Sequence, residues 1–342
     1  AEERIRVHVV LDERSAGFVA LGLALAEGRP AVVVTTSGTA SVEIHPAVVE
    51  ASQAAVPLIA VTTDRPPELH HVGAPQTVEQ QNLFVSAVRW AVDPGVPDQA
   101  TADGWRSLAC RAVAEALGRH GNPGPVHLNL PFREPLLGTA GAVEWPPARP
   151  DGQPWHRPVS AAPALPAREV EPVAALLASG AGGRGLIVAG EGCGDPGAVL
   201  GLAARLGWPV LADPRSGVRR PGPPVVGAAD LLLRADPVAG WTPEVVLRLG
   251  TPWASKVMAQ WLNRMDPAVP QVVLDPAGRW ADPDRRASHV LAATVEDLAG
   301  PVADLVPGAP VASRWLDRWT AAEAAAQEML DALLGPDGPL QG

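Results

Sequence analysis

Residues 57–76 read Pro57-LIAVTTDRPPELHHVGAP-Gln76, and this stretch decides the fold. An apolar run from Pro57 to Val61 stops at Thr62-Thr63-Asp64, Arg65 follows, Pro66-Pro67 stiffens the chain behind the arginine, and Gly73-Ala74-Pro75-Gln76 makes a second turn. Two fixed proline φ angles hold the guanidinium on a stiff loop at the end of a buried strand, a place suited to an anionic ligand. A short, continuous, apolar strand ending in a polar loop is the unit of a parallel sheet covered on both faces.

The flanking sequence repeats that pattern. Arg6–Leu11 reads as a strand, and Asp12 is placed to N-cap a helix with Phe18, Leu21 and Leu25 on its buried side and Gly28 closing it. Ala31–Thr35 is a β-branched strand, Ala40–Ala55 a helix interrupted near its start by Pro46, residues 104–119 a helix and Pro125–Leu130 a strand. After a proline-rich linker at 144–166, strands are expected at Gly185–Ala189, Pro209–Ala212, Val245–Leu249 and Gln271–Leu274, with helices at Ala198–Leu206 and Ser255–Asn263. A second linker is expected at 301–312, and Ser313–Leu334 reads as a strong helix with Trp315, Leu316, Trp319, Ala322 and Met329 on its apolar positions. Strand–helix alternation in two blocks predicts an α/β protein with two Rossmann-like parallel-sheet domains.

Composition bounds the function. The 342 residues carry 47% hydrophobic side chains, enough for two cores, and a net charge of −10, which argues against nucleic acid as the main partner. No apolar run is long enough to span a bilayer, and no secretory pattern opens the chain, so a cytoplasmic location is the expectation. Cys110 and Cys193 form neither a metal pair nor a disulfide framework. The first residue is not Met and the last residues trail off behind a helix, so sequence is expected to be missing at both ends.

In open parallel sheets ligands bind beyond the carboxyl ends of the strands. Three expected strand ends carry unusual residues: Asp12-Glu13-Arg14, Thr36-Ser37-Gly38-Thr39-Ala40 and Asp64-Arg65. Each has an ordinary explanation as well. Glu13 in a first helical turn complements the helix dipole by roughly 0.3–1 kcal/mol, Ser37-Gly38-Thr39 makes a tight turn and cap, and Arg65 suits a surface ion pair. Gly192-Cys-Gly194-Asp-Pro-Gly197 after an expected strand, with Asp213 near the end of the next, is the layout of a dinucleotide fingerprint and leaves an NAD or FAD oxidoreductase open. His70-His71 suits a solvated turn better than a metal pair. Lys256, the single lysine, opens a helix where the dipole disfavours a cation, which hints at a nearby anion.

Taken together, DERSAGFVALGLA from Asp12, TTSGTA from Thr35, TTDRPPEL from Thr62, GAPQ at Gly73–Gln76 and GPVHLNLPFREPL from Gly124 resemble the thiamine-diphosphate-dependent 2-succinyl-5-enolpyruvyl-6-hydroxy-3-cyclohexene-1-carboxylate (SEPHCHC) synthases of menaquinone biosynthesis. GLIVAG, LGWPVLADPRSG, VVLRLG and SKVMAQWL in the second half fit the same family, so the resemblance covers nearly the whole chain. It implies a pyrimidine-binding domain over 1–143, a middle transhydrogenase-like domain over 167–300 and, at 313–342, the first helix of a diphosphate-binding domain otherwise missing. It implies that Glu13 contacts the aminopyrimidine of thiamine diphosphate, that Gly38 and Thr39 line the cofactor, that Arg65 and Lys256 bind substrate carboxylates and that Gln76 positions substrate and intermediate. A carboxyl sharing a proton with a pyrimidine nitrogen is what activation of this cofactor requires.

The implied reaction decarboxylates 2-oxoglutarate and adds the succinyl unit to isochorismate, with Mg²⁺ or Mn²⁺, in a homodimer or dimer of dimers whose active site lies at the interface. No GDG followed by an Asn-containing loop occurs here, so metal and diphosphate ligands are expected elsewhere, and this chain alone is expected to be a poor catalyst. Glu43 and Pro75 stand where the family pattern has Asn, and Val257 where it has Arg. A thiamine enzyme of the acetolactate synthase type is the alternative within the same chemistry.

Overall fold

The computed structural model describes residues 5–99, 101–119, 121–137, 149–156, 166–308 and 311–335. The chain divides into two units, Ala1–Ala161 and Ala162–Gly342.

The first unit runs α1 (Glu13–Glu27), β1 (Ala31–Thr35), α2 (Thr39–Glu43), α3 (His45–Ala54), β2 (Leu58–Asp64), β3 (Trp90–Val92), α4 (Trp105–Ala116) and β4 (Pro125–Pro131). Its four strands are parallel in the order β1-β2-β4-β3. Side chains alternate across β2, so Leu58 and Ala60 face the cluster of Leu21, Ile44, Val48 and Ala51, while Ile59 joins Ala112, Ala116, Val126 and Leu128 beneath α4. Asp12 caps α1 by accepting the Ser15 N–H at 2.7 Å, and Gly28 ends the helix in the left-handed conformation. The helix expected over residues 40–55 is split at Ile44. Pro46 fits the first turn of α3 because that turn needs no N–H from it.

Two expectations fail here, and one strand was not expected. Residues 6–11 form no strand: they join no ladder, and Val7, Val9 and Leu11 are exposed. Apolar alternation makes a strand only where a neighbour supplies backbone partners. Phe18 and Leu25 are exposed, because α1 buries its small residues Gly17, Ala20 and Ala24 with Leu21. A Cβ on Gly17 would lie 2.9 Å from Ala47 Cβ, so the two helices meet along a small-residue stripe. The short strand β3 had no sequence signal of its own.

The second unit runs α5 (Ala167–Ser179), β5 (Gly185–Ala189), α6 (Pro196–Leu206), β6 (Val210–Ala212), β7 (Val225–Val226), α7 (Ala229–Leu232), α8 (Asp236–Ala239), β8 (Val245–Leu249), α9 (Lys256–Asn263), β9 (Gln271–Leu274), β10 (His289–Leu291), α10 (Val295–Leu305) and α11 (Arg314–Leu334). Six parallel strands are ordered β10-β9-β8-β5-β6-β7, and the direction of winding reverses at β5. Helices α5, α6 and α10 cover one face, and α7, α9 and α11 cover the other.

Two boundaries are corrected. Residues 301–305 belong to α10, which starts with a Thr294–Asp297 capping box and accommodates Pro301. Helix α11 does not stand apart from this unit. Trp319 is fully buried and Trp315 nearly so in the second unit's core, and the Trp315 indole N–H donates to the Gly185 carbonyl of β5 at 2.9 Å. Apolar residues at helical spacing reveal a buried face but not which sheet buries it. The proline-rich linker expected at 144–166 falls mostly outside the described residues. No helix among the described residues is long and apolar enough to cross a membrane.

Candidate active site

The carboxyl ends of β1, β2 and β4 lie side by side in register, Thr35 opposite Thr62 and Asp64 opposite Pro131. β1 ends in Thr35, and the chain turns through Thr36, Ser37 and Gly38 into α2. Gly38 has φ 82° and ψ −143°, a conformation that side chains with a Cβ avoid, and a Cβ there would sit 2.9 Å from Gln76 Cγ. The turn therefore admits Gln76 by being glycine.

β2 ends in Asp64, which is 3% exposed and accepts the Arg65 N–H on Oδ1 at 2.7 Å. The Arg65 loop is anchored on its other side as well. His70 Nε2 lies 2.9 Å from the Arg65 carbonyl, Phe132 N–H donates to the Asp64 carbonyl, and Arg133 grips Glu68 through two hydrogen bonds. Those Arg133 bonds hold the Glu68 carboxyl down to about 2.

With its backbone fixed, Arg65 turns its guanidinium to the GAPQ turn: Nε lies 3.4 Å from the Pro75 carbonyl and Nη2 3.4 Å from Gln76 Oε1. Gln76 in turn donates Nε2 to Thr36 Oγ1 at 3.1 Å and to the Ser37 carbonyl at 3.0 Å. Gln76 adopts φ 59°, an unfavourable conformation for a non-glycine residue, of the order of 1 kcal/mol, held by these contacts. Arg65, Gln76 and Gly38 thus converge on one edge of the sheet; of the three strand ends expected to cluster there, those at Thr36–Ala40 and Asp64–Arg65 do, while residues 6–11 before Glu13 form no strand.

Thr39 begins α2 and is exposed beside Gly38. Glu13 opens α1, half-buried, with no hydrogen-bond or ion-pair partner among the described residues. No described contact joins it to Arg65 or Gln76. Lys256 is exposed at the start of α9, in the second unit, behind its N-cap Ser255. Of the three departures from the family pattern, Pro75 contributes its carbonyl to Arg65, Glu43 is exposed on α2 and Val257 packs against the second unit's core.

Beneath this edge lies a buried polar cluster that the sequence reading missed. Gln80, fully buried, accepts the Gly38 N–H at 2.8 Å and donates to the Thr63 carbonyl at 2.9 Å and Asn129 Oδ1 at 3.0 Å. Asn129 Oδ1 also receives the Thr62 hydroxyl at 2.9 Å, and Asn129 Nδ2 donates to Asp64 at 2.9 Å and Asp93 at 3.0 Å. His127 Nε2 lies 2.7 Å from Thr62 Oγ1, and Phe84 stands edge-on to its ring. Burial pushes His127 down to about 4, against an opposing pull from Asp93. The signal was present in β4: His127 and Asn129 alternate through an otherwise apolar strand, which places two polar groups on one face.

In the second unit the glycine-rich loop does not present a free helix N-terminus. Asp195 caps α6 by accepting the Ala198 N–H at 2.8 Å, and its own N–H donates to Glu296 at 3.0 Å. Gly194 abuts Val295, where a Cβ would come within 2.9 Å of Cγ1. Asp213 accepts the Arg215 N–H at 2.8 Å, and Arg215 pairs with Glu191 at 2.8 Å. Two carboxylates thus stand where a dinucleotide's pyrophosphate needs free N–H groups, so the fingerprint is a structural turn.

The fold and its strand-end cluster define a parallel α/β protein of the thiamine-enzyme architecture, and family matches agree. Residues 1–83 match the thiamine pyrophosphate enzyme N-terminal TPP binding domain, and residues 161–335 match the middle domain of thiamine pyrophosphate enzymes. The chain belongs to the thiamine pyrophosphate enzyme family. Similar relatives carry the name 2-succinyl-5-enolpyruvyl-6-hydroxy-3-cyclohexene-1-carboxylate synthase. One from Thermobifida fusca is 44% identical over 86% of this chain and 51% of its own length. One from Roseiflexus castenholzii is 44% identical over 94% and 56%, and one from Halobacterium salinarum 42% identical over 93% and 56%. The chain spans about half the length of these curated relatives.

Among the described residues, Ser37 Oγ and Thr35 Oγ1 are buried without a hydrogen-bond partner, and the Glu13 carboxylate in the same unit has none either. Buried hydroxyls left unpaired cost free energy unless a ligand completes them.

Proposed function

We propose that this chain supplies the pyrimidine-binding and middle domains, 1–143 and 167–300, of a SEPHCHC synthase that decarboxylates 2-oxoglutarate and adds the succinyl unit to isochorismate. The observation that carries this reading is the Arg65–Gln76 pair, which joins the loop after β2 to the turn after β1. Both substrates are dicarboxylates, and in a chain of net charge −10 a rigid arginine concentrates positive potential where it is needed.

Thiamine diphosphate, when bound, supplies the carbon nucleophile and the electron sink for loss of carbon dioxide. The chain's own residues have simpler tasks. Glu13 holds a proton at a pyrimidine ring nitrogen, and Gly38 with Thr39 lines the ring. Arg65 binds a substrate carboxylate through parallel N–H bonds. Gln76, its amide oriented by Thr36 and Ser37, positions the reacting acid. Lys256 is proposed as a second carboxylate contact. Mg²⁺ or Mn²⁺ and diphosphate ligands are assigned to other residues of the protein, and a cytoplasmic homodimer or dimer of dimers belongs to the same reading.

The test is carbon dioxide release by the intact protein from 2-oxoglutarate, dependent on thiamine diphosphate, Mg²⁺ and isochorismate. Arg65→Ala is expected to raise KM for 2-oxoglutarate by one to two orders of magnitude, from the roughly 1.5–3 kcal/mol of a charge-assisted bond. Turnover of pyruvate in place of 2-oxoglutarate would move the assignment to the acetolactate synthase type. Saturable NADH or FAD binding would reopen the oxidoreductase reading.

A further inference from the structure

The buried cluster under the active edge has an order that hydrogen-bond chemistry alone fixes. The Gly38 N–H is an obligatory donor and the Thr63 carbonyl an obligatory acceptor. Gln80 touches both, at 2.8 and 2.9 Å, so its amide has one admissible orientation: oxygen toward Gly38, nitrogen toward Thr63. Its nitrogen also donates to Asn129, which forces Asn129 Oδ1 inward and turns Nδ2 to the carboxylates of Asp64 and Asp93. Asp64 then accepts the Arg65 N–H. One continuous chain of satisfied bonds runs from the Gly38 turn through Gln80, Asn129 and Asp64 to the arginine backbone, and every amide in it is locked.

The link matters because the two ends carry the two halves of the site. The Gly38 turn bears the Ser37 carbonyl that holds Gln76 and the unpaired Ser37 hydroxyl. The other end bears Arg65. The β1–β2 ladder ends at Thr35–Thr62, where the Thr63 hydroxyl also donates to the Thr35 carbonyl at 3.3 Å, and beyond it side chains rather than strand pairing hold the turn: Gln76 at its exposed side and Gln80 beneath it. Gln80 is the buried one of these two links.

We propose that Gln80 is a positioning residue. It fixes the Gly38 turn against the Arg65 loop by accepting the Gly38 N–H while donating to Thr63 and Asn129, and it thereby sets the separation between cofactor-facing and carboxylate-facing groups. This deepens the function proposed above and rests on it for its consequences in binding, though not for the geometry itself.

The test compares three variants of the intact protein. Gln80→Glu keeps size and the acceptor for Gly38 but loses both donated bonds, and Gln80→Ala removes all of them. Thr62→Val deletes the bonds to the same Asn129 oxygen and to His127 Nε2 without reaching Gly38 or Arg65, and it measures the cost of merely disturbing the cluster. Amide hydrogen exchange in residues 36–40 and 64–66 reads the positioning without any ligand. Titration with thiamine diphosphate and Mg²⁺, followed by tryptophan fluorescence, reads its consequence. Exchange at both segments is expected to rise at least tenfold in the two Gln80 variants and to stay unchanged in Thr62→Val. Cofactor affinity is expected to fall at least tenfold in the Gln80 variants alone. If Thr62→Val loosens the two segments equally, or if Gln80→Glu leaves their exchange at the wild-type rate, Gln80 is an ordinary core residue and the proposal fails. Should the wild type bind no thiamine diphosphate, the proposed function falls, and the exchange rates still decide the role of Gln80.

Discussion

Gly38 is constrained twice, by its φ of 82° and by the 2.9 Å that a Cβ would leave to Gln76. Gly38→Ala is therefore expected to cost about 1–3 kcal/mol, measured as a lowered midpoint of thermal unfolding, and to weaken 2-oxoglutarate binding by displacing the Gln76 amide. A variant that keeps both wild-type stability and affinity would remove the close approach from the argument. Arg65 makes a complementary case. Its Nε and Nη2 engage two different acceptors in a fixed fork, so Arg65→Lys, which keeps the charge, is expected to recover little of the affinity that Arg65→Ala loses. Equal KM values for wild type and Arg65→Lys would show that charge alone suffices. The sequence revealed this residue because prolines and a strand end framed it. It did not reveal Gln80, whose importance depends on a neighbour 42 positions away.

At the scale of elements, β4 shows what a strand pattern carries and what it hides. Its apolar character and limits were readable, since a strand buried on both faces needs a run of such residues. The polar residues within it acquire meaning only through partners on β2 and the loop after Gln76. His127 makes this measurable. Its unperturbed value is 6.5, and burial against Phe84 and Thr62, outweighing Asp93, lowers it to about 4 in the folded protein. Between these values the unfolded chain holds the extra proton, so the neutral histidine's contribution is complete above 6.5 and is lost as pH falls toward 4. The expected loss across that window is up to about 3 kcal/mol, at about 1.4 kcal/mol per pH unit. His127→Gln, which does not titrate, is expected to flatten the fall of the unfolding midpoint between those pH values, while an unchanged slope would assign it to other groups. Cys193 offers a second check on burial: desolvation raises its thiol to about 11, so a thiol reagent near neutral pH is expected to modify it only after unfolding.

At the scale of the whole molecule, the two α/β units were legible from alternation, and the place of the last helix was not. Trp315, Leu316 and Trp319 announced a buried face, yet nothing in a helical stripe names the sheet it meets. The structure answers with aromatic geometry: Trp319 stands edge-on to Trp241 at 5.0 Å and near Trp315 and Trp261 at 5.8 and 6.2 Å, and Arg318 lies over the Trp241 ring at 4.0 Å. Trp319→Ala empties a fully buried site and is expected to destabilise the second unit by about 3–5 kcal/mol. The effect should be confined to that unit, because each unit has its own apolar clusters. Amide exchange in β5 and β8 is therefore expected to accelerate strongly while β2 and β4 keep their protection. If β5 and β8 exchange as in the wild type, α11 contributes nothing to that core, and its reading as the first helix of another domain returns. If all four strands loosen together, the units unfold as one cooperative body, and a substitution anywhere in the second would then reach the Arg65 edge through stability alone.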